Sequence, residues 1–481
     1  MRKLILFPLI TVIKQFGKIL NMFSASKNSV INILKWFILA TGVGAVVGVL
    51  DAIFLKTLEN SLALRNQIPL FYLGLPLALY VVAILSRKLA PKHKDFSTDA
   101  VIHKINLYQP ITFVSIVKGF FLPIVTMVTG GSAGKEAPCA DVGAGVSSLV
   151  ARLCKMSLED QRKMMICGVS AGFAGVFGVP ISGALFGLEV LWVGHIFYEV
   201  MFPALVAGIT AFQVTSYLGV NYIYHPLHFV PVFSEQFFLK VLIAGMFFGL
   251  ISLLFIEISK FMRVVFRYLT RRMTLFGACF IGGLLLIAIA ALTSPAYLGL
   301  GMQGIESALS GQELLSPFGF LYKILTTSIT FAAGGVGGIV TPIFFVGAQA
   351  GAMLSDFLAV DSATLAALGL VAVLAGAANT PLSASIMAIE LFGPAIAPYA
   401  TVACVISFLI TGQQSVYPSQ RISWDSGKTP NEHPAVPINY GRRASDRKTQ
   451  VRARKTMLKK AFKELTKHLL PPIHSEEKEH K

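Results

Sequence analysis

The stretch Gly130–Pro138, GGSAGKEAP, returns at Gly334–Pro342 as GGVGGIVTP, 204 residues further on (138 to 342). Gly130, Gly131 and Gly134 are answered by Gly334, Gly335 and Gly338, and Pro138 by Pro342. A second block, Gly175–Glu189 (GVFGVPISGALFGLE), recurs at Gly376–Glu390 (GAANTPLSASIMAIE), with Gly, Pro, Ser and Glu coinciding 201 residues apart (189 to 390). Two blocks in the same order, at nearly equal offsets, belong to a chain that repeats itself. In an apolar chain, glycine-interrupted segments at corresponding places in two halves point to a transporter built from internal repeats, with its substrate site where broken helices meet.

Composition says which solvent the repeats occupy. With 54% hydrophobic and 14% charged residues, and a mean hydropathy of +0.69, the chain is far more apolar than a soluble globular average. Val30–Leu50, Pro69–Leu85, Leu239–Ile256, Leu275–Leu292 and Ala366–Ala378 are apolar runs. Several are too short or too glycine-rich to cross ~30 Å of hydrocarbon upright, which takes about 20 apolar residues. Tilted helices and half-helices are therefore expected. The strands of an outer-membrane barrel would alternate apolar and polar residues; these runs are continuously apolar, so the expected fold is an all-α integral membrane protein.

The net charge of +17 gathers at the ends. Arg2, Lys3, Lys14 and Lys18 mark one end, and the polar region Arg421–Lys481 the other. Basic flanks tend to stay cytoplasmic, which predicts both termini on that side, of a cell inner membrane. No recognition motif accompanies the tail, so nucleic acid is not an expected partner, and membrane lipid is. Within it Met457, Leu458, Ala461, Phe462, Leu465 and Leu469 recur at helical spacing against Lys459, Lys460, Lys463 and Lys467, as in a helix on a membrane surface; a solvated helix or disorder is the competing reading. Arg2 and Lys3 precede an apolar run as in a signal peptide. Pro8, Lys14 and Lys18 break that run, which favours an interfacial helix, with cleavage near Ser24–Ser26 left open. The expected division is a basic segment 1–29, a first repeat 30–220, a second repeat 221–422 and a basic tail 423–481. Cys139, Cys154, Cys167, Cys279 and Cys404 show no CxxC spacing and read as small core residues. No cofactor or metal is expected.

The chemistry concentrates in the repeated block. Its glycines permit unusual dihedrals, and Pro138 and Pro342 suit the first turn of a helix, so each copy reads as a loop opening a helix. Such an N-terminus offers unpaired N–H groups and the positive end of a dipole, an anion site without a full charge. Two facing copies would hold an anion near the midplane without trapping it. The competing reading is that the glycines merely allow close helix packing. Only the first copy carries a carboxylate: Lys135 and Glu136 stand where the second has Ile339 and Val340. An intramembrane carboxylate is a functional candidate. Ionised, Glu136 would compete with an anion for the same N–H groups; protonated, it would withdraw, making it both gate and proton carrier. The alternative is a Lys135–Glu136 pair at the membrane surface.

Gly134-Lys135-Glu136-Ala137-Pro138 resembles the G-(K/R)-E-G-P signature of the CLC chloride channel and transporter family, and Gly338-Ile339-Val340-Thr341-Pro342 its G-x-F-x-P signature. Gly175–Glu189 and Ser415-Val416-Tyr417 are further matches, and the resemblance covers about residues 30–422. It implies a homodimer of two inverted halves per subunit, a pore in each subunit, chloride or a similar anion as cargo, and protons as a second cargo in some members. It further implies that backbone amides at Gly134, Lys135, Ala137, Gly338, Ile339, Val340 and Thr341, with the Tyr417 hydroxyl, line the anion pathway, and that Glu136 gates it. The family's G-S-G-I-P stretch is largely absent from Asp95–Ala100, where Phe96 falls at the serine position with Ser97 beside it; a change of selectivity towards fluoride or nitrate would follow from this. Where proton-exchanging members often have an internal glutamate, this chain has Val190, leaving Glu189 as a substitute or as a helix-end residue matched by Glu390. Asp141, five residues past Glu136 and roughly 140° round an ideal helix, would need water to relay a proton from it. Channel and exchanger both remain open, as does a non-conducting scaffold or enzyme, for which no catalytic constellation is present in the sequence.

Overall fold

The first helix carries the chain from Arg2 to Asn66 (α1) and is followed by α2 (Leu75–Leu89), α3 (Thr98–Asn106) and α4 (Phe113–Val128). The structure is a computed structural model that describes residues 2–89, 98–222, 224, 234–422 and 436–437, with side chains at 30–88, 98–222, 224 and 234–421. Next come α5 (Glu136–Leu153), α6 (Leu158–Phe177), α7 (Pro180–Glu189) and α8 (Tyr198–Tyr217). The second half runs through α9 (Glu235–Arg272), α10 (Leu275–Leu292), α11 (Met302–Leu309), α12 (Gly319–Ala332), α13 (Val340–Leu358), α14 (Ser362–Ala378), α15 (Pro381–Phe392) and α16 (Ala397–Thr411). These elements lie in one unit, Met1–Ile438; the second unit, Asn439–Lys481, and with it the expected surface helix of the tail, lies outside the described residues.

The halves correspond helix by helix. α5 packs on α6 as α13 packs on α14, α1 on α8 as α9 on α16, and α7 meets its counterpart α15 directly. Even the caps match: the Ser157 side chain accepts from Asp160 N–H at the start of α6, and Asp361 accepts from Thr364 N–H at the start of α14. The chain is thus an all-α membrane protein of two inverted repeats. Among the described residues, six helical segments are long and apolar enough to cross a membrane, Val30–Asn66, Glu235–Arg272 and Leu275–Leu292 among them. α7, with 10 residues, reaches only about 15 Å at 1.5 Å per residue, so the expected half-helices are present.

Glycines divide between two jobs. Gly143 of α5 lies against the Gly168 carbonyl of α6, and Gly347 of α13 against the Gly369 carbonyl of α14; a Cβ at any of these would run into backbone. These residues do what the packing reading of glycine requires, letting helix backbones touch. Gly130 and Gly334 act differently: they carry φ of 99° and 105°, a region open to glycine at little cost, in the loops that lead from α4 into α5 and from α12 into α13. Among the cysteines one departs from expectation. Cys154, at the end of α5, is exposed, whereas Cys139, Cys167, Cys279 and Cys404 are buried. Three two-residue strands join the end of α7 to the segment after Tyr417: β1 (Trp192–Val193) pairs parallel with β2 (Arg421–Ile422), and β2 antiparallel with β3 (Val436–Pro437).

Candidate functional site

The two repeated loops meet. Gly134 N–H donates to Gly338 O at 2.7 Å and Gly338 N–H to Gly134 O at 2.8 Å, an antiparallel bridge across the pseudo-twofold axis. Flanking bonds repeat the symmetry: Thr330 Oγ1 accepts from Ser132 N–H at 3.0 Å, and Thr126 Oγ1 from Val336 N–H at 3.2 Å. The bridge corrects one expectation. The amides of Gly134 and Gly338, read as anion donors, are taken up by each other, because the loops approach closely enough to pair. Donors further along each helix start remain.

Glu136 is the first residue of α5, yet its carboxylate reaches the start of α13. Oε1 accepts from Val340 N–H at 2.6 Å and Oε2 from the Thr341 hydroxyl at 2.7 Å. Its own backbone amide and that of Thr341 also face the carboxylate. The residue is 2% exposed, and among the described residues no ion pair links it to Lys135, so the surface-pair reading fails. A carboxylate here occupies the donor set that an inorganic anion would use: amides and a hydroxyl at the positive end of a helix, with no full positive charge. Gly134 and Gly338 press on that carboxylate, and a Cβ at 338 would coincide with it. Glycine is therefore needed on both sides of the side chain.

Of the other expected site residues, Ala137, Val340 and Thr341 are buried around this point, while Lys135 and Ile339 are half-buried at the N-caps of α5 and α13. Tyr417, 4% exposed, is held by a loop whose Val416 N–H donates to Ala377 O at the end of α14, and it interacts electrostatically with Glu136, Asp141 and Asp99. Phe96 and Ser97 lie outside the described residues. Glu189 is placed elsewhere: its carboxylate accepts from Leu382 N–H (3.0 Å) and Ser383 N–H (2.8 Å), capping α15. Glu390 mirrors it, accepting from Ile181 N–H (2.9 Å) and Ser182 N–H (2.8 Å) at the start of α7.

Sequence reasoning missed two features. The Thr341 hydroxyl was read only through its backbone, although a hydroxyl side chain at the place of Ala137 was a visible signal. The polar group around α3 was missed entirely: Asp99 accepts from Ser419 N–H (2.7 Å) and Oγ (2.9 Å), anchoring the strand after Tyr417, and Lys104 is 4% exposed.

The fold and site define a membrane transport protein of inverted repeats, with helix N-termini converging on one buried acid. The match that identifies it is to the voltage-gated chloride channel family, whose model covers residues 78–412; the chain belongs to that family. A chloride/fluoride channel protein of Pseudomonas syringae pv. tomato is 35% identical over 402 residues, 81% of this chain and 87% of that protein. The crystal structure of a CLC-type fluoride/proton antiporter superposes with a TM-score of 0.77 at 26% identity, covering 82% of this chain and 99% of that one. A slow cyanobacterial Cl−/H+ antiporter, 21% identical, shares the fold with a TM-score of 0.67, over 78% and 94% of the two chains.

Proposed function

We propose that this chain carries a small halide, fluoride or chloride, across the membrane in exchange for protons, through a pathway inside each subunit that Glu136 gates. That it transports an anion follows from its family; the halide, the protons and the gate are our reading. The observation that carries it is the Glu136 carboxylate bound to Val340 N–H and Thr341 Oγ1. While ionised it fills the anion's donors; once protonated it accepts weakly and yields them, so each opening is linked to a proton. Support for proton coupling also comes from the antiporter structure that superposes on the chain.

The repeats span 30–220 and 221–422 in this reading, flanked by basic segments at 1–29 and 423–481, and the subunits pair as a homodimer. By the positive-inside tendency the basic helix ends at Arg87 and Lys88, at Arg152 and Lys155, and at Arg271 and Arg272 lie on the cytoplasmic side, with both termini, in an inner membrane. Glu189 serves as a cap of α15.

The test is reconstitution of the pure protein in liposomes under a chloride or a fluoride gradient, with external pH recorded. Halide efflux that drives protons uphill is expected. Halide efflux with still pH would refute exchange and leave conduction; no flux of either halide would refute the proposed cargo.

A further inference from the structure

Asp141 is a second acid on α5, five residues beyond Glu136, or about 7.5 Å along an ideal helix, toward the basic end at Arg152. It is 2% exposed, and its Oδ1 has no hydrogen-bond partner. The Thr98 hydroxyl, at the start of α3, bonds to its carboxylate, and Glu136 and Lys104 act on it electrostatically. Two other acids are committed: Glu189, buried, to two amides, and Asp99, half-buried, to Ser419 through both oxygens. Asp51, also with an unpartnered oxygen, faces Cys139 instead. Asp141 alone among them combines a spare acceptor oxygen with an electrostatic link to Glu136.

Its charged and titratable surroundings are consistent with passing a proton on. Lys104 from α3 is the cation that acts on it, Lys118 from α4 acts on Lys104 and is itself bonded to Ser86 O, and Tyr417 interacts electrostatically with both acids. A purely structural tie between α5 and α3 through Thr98 would be served as well by an uncharged amide, and would gain nothing from burying an ionisable group.

We infer that Asp141 is the inner proton acceptor for Glu136, an assignment that rests on the exchange reading above. In the step, the O–H bond of protonated Glu136 breaks as one forms on the Asp141 carboxylate, relayed by a water molecule because the two are too far apart to touch. Glu136 is left ionised and returns to Val340 and Thr341; Asp141 then releases the proton to water at the inner face.

The experiment compares wild type, Asp141→Asn, Asp141→Glu and Lys104→Met in liposomes under a chloride gradient, recording chloride and pH together. Asp141→Asn should keep chloride flux within about threefold of wild type while losing at least about tenfold in uphill proton flux, the scale of removing an acid–base group. Asp141→Glu should restore coupling. If wild type and Asp141→Asn couple with the same proton-to-chloride ratio, the assignment is overturned. If wild type itself moves chloride without protons, the exchange reading fails and this inference falls with it. Should Asp141→Asn not fold, Lys104→Met decides: losing the cation favours the protonated acid and moves the fall-off of proton exchange to higher pH, and an unshifted profile would refute the relay.

Discussion

Replacing Glu136 with glutamine tests the central geometry directly, because the amide keeps the shape of the side chain and removes its charge. In the proposed gate the wild-type carboxylate competes with the anion through the bonds it accepts from Val340 N–H at 2.6 Å and Thr341 Oγ1 at 2.7 Å. Hydrogen bonds to a charged acceptor contribute about 1.5–3 kcal/mol each and neutral ones about 0.5–1.5 kcal/mol, so the change weakens the competitor by about 2–3 kcal/mol over two bonds. At 1.4 kcal/mol per factor of ten, the anion should bind Glu136→Gln about 30- to 140-fold more tightly at neutral pH. Isothermal titration calorimetry of fluoride and chloride into purified protein measures this. The sign of the pH dependence is also fixed. Protonation discharges Glu136, so wild-type affinity should rise as pH falls, while the glutamine variant stays flat. Equal affinities at neutral pH, or parallel pH profiles, would refute the competition.

Four further outcomes are expected. Gly338→Ala places a methyl on the Glu136 carboxylate and should expel it, flattening the pH dependence of halide efflux; an unchanged profile would contradict the placement. Glu390→Ala strips the acceptor from Ile181 and Ser182 N–H and should cost about 2–4 kcal/mol of stability in thermal unfolding, whereas Glu189→Gln should leave the proton-to-halide ratio unchanged, a fall in that ratio arguing for a proton role. Gly143→Ala and Gly347→Ala, at matching helix contacts with Gly168 and Gly369, should each destabilise by about 1–3 kcal/mol through overpacking; a neutral effect at either would remove that contact from the packing account.

The sequence by itself determined the membrane class and the repeat, and it pointed to the candidate site. Those follow from composition and from local patterns: apolar runs require a bilayer, glycine then proline makes a loop that opens a helix, and two copies in register make a pseudo-twofold. The lone carboxylate in one copy marked the asymmetric point of the site before any coordinates. Only the tertiary structure decided how the copies share their donors. Gly134 and Gly338 spend their amides on each other, which no local pattern reveals because the partner lies 204 residues away (134 to 338). For the same reason the reach of Glu136 across to Thr341, and the exchange of caps by Glu189 and Glu390, were not legible: in each, one acceptor belongs to one repeat and its donors to the other. The surroundings of Asp141 show the limit most plainly. Helical periodicity placed it away from Glu136, but the α3 residues that act on it, Thr98 and Lys104, are brought there by the packing of α3 on α5, which hydropathy does not encode.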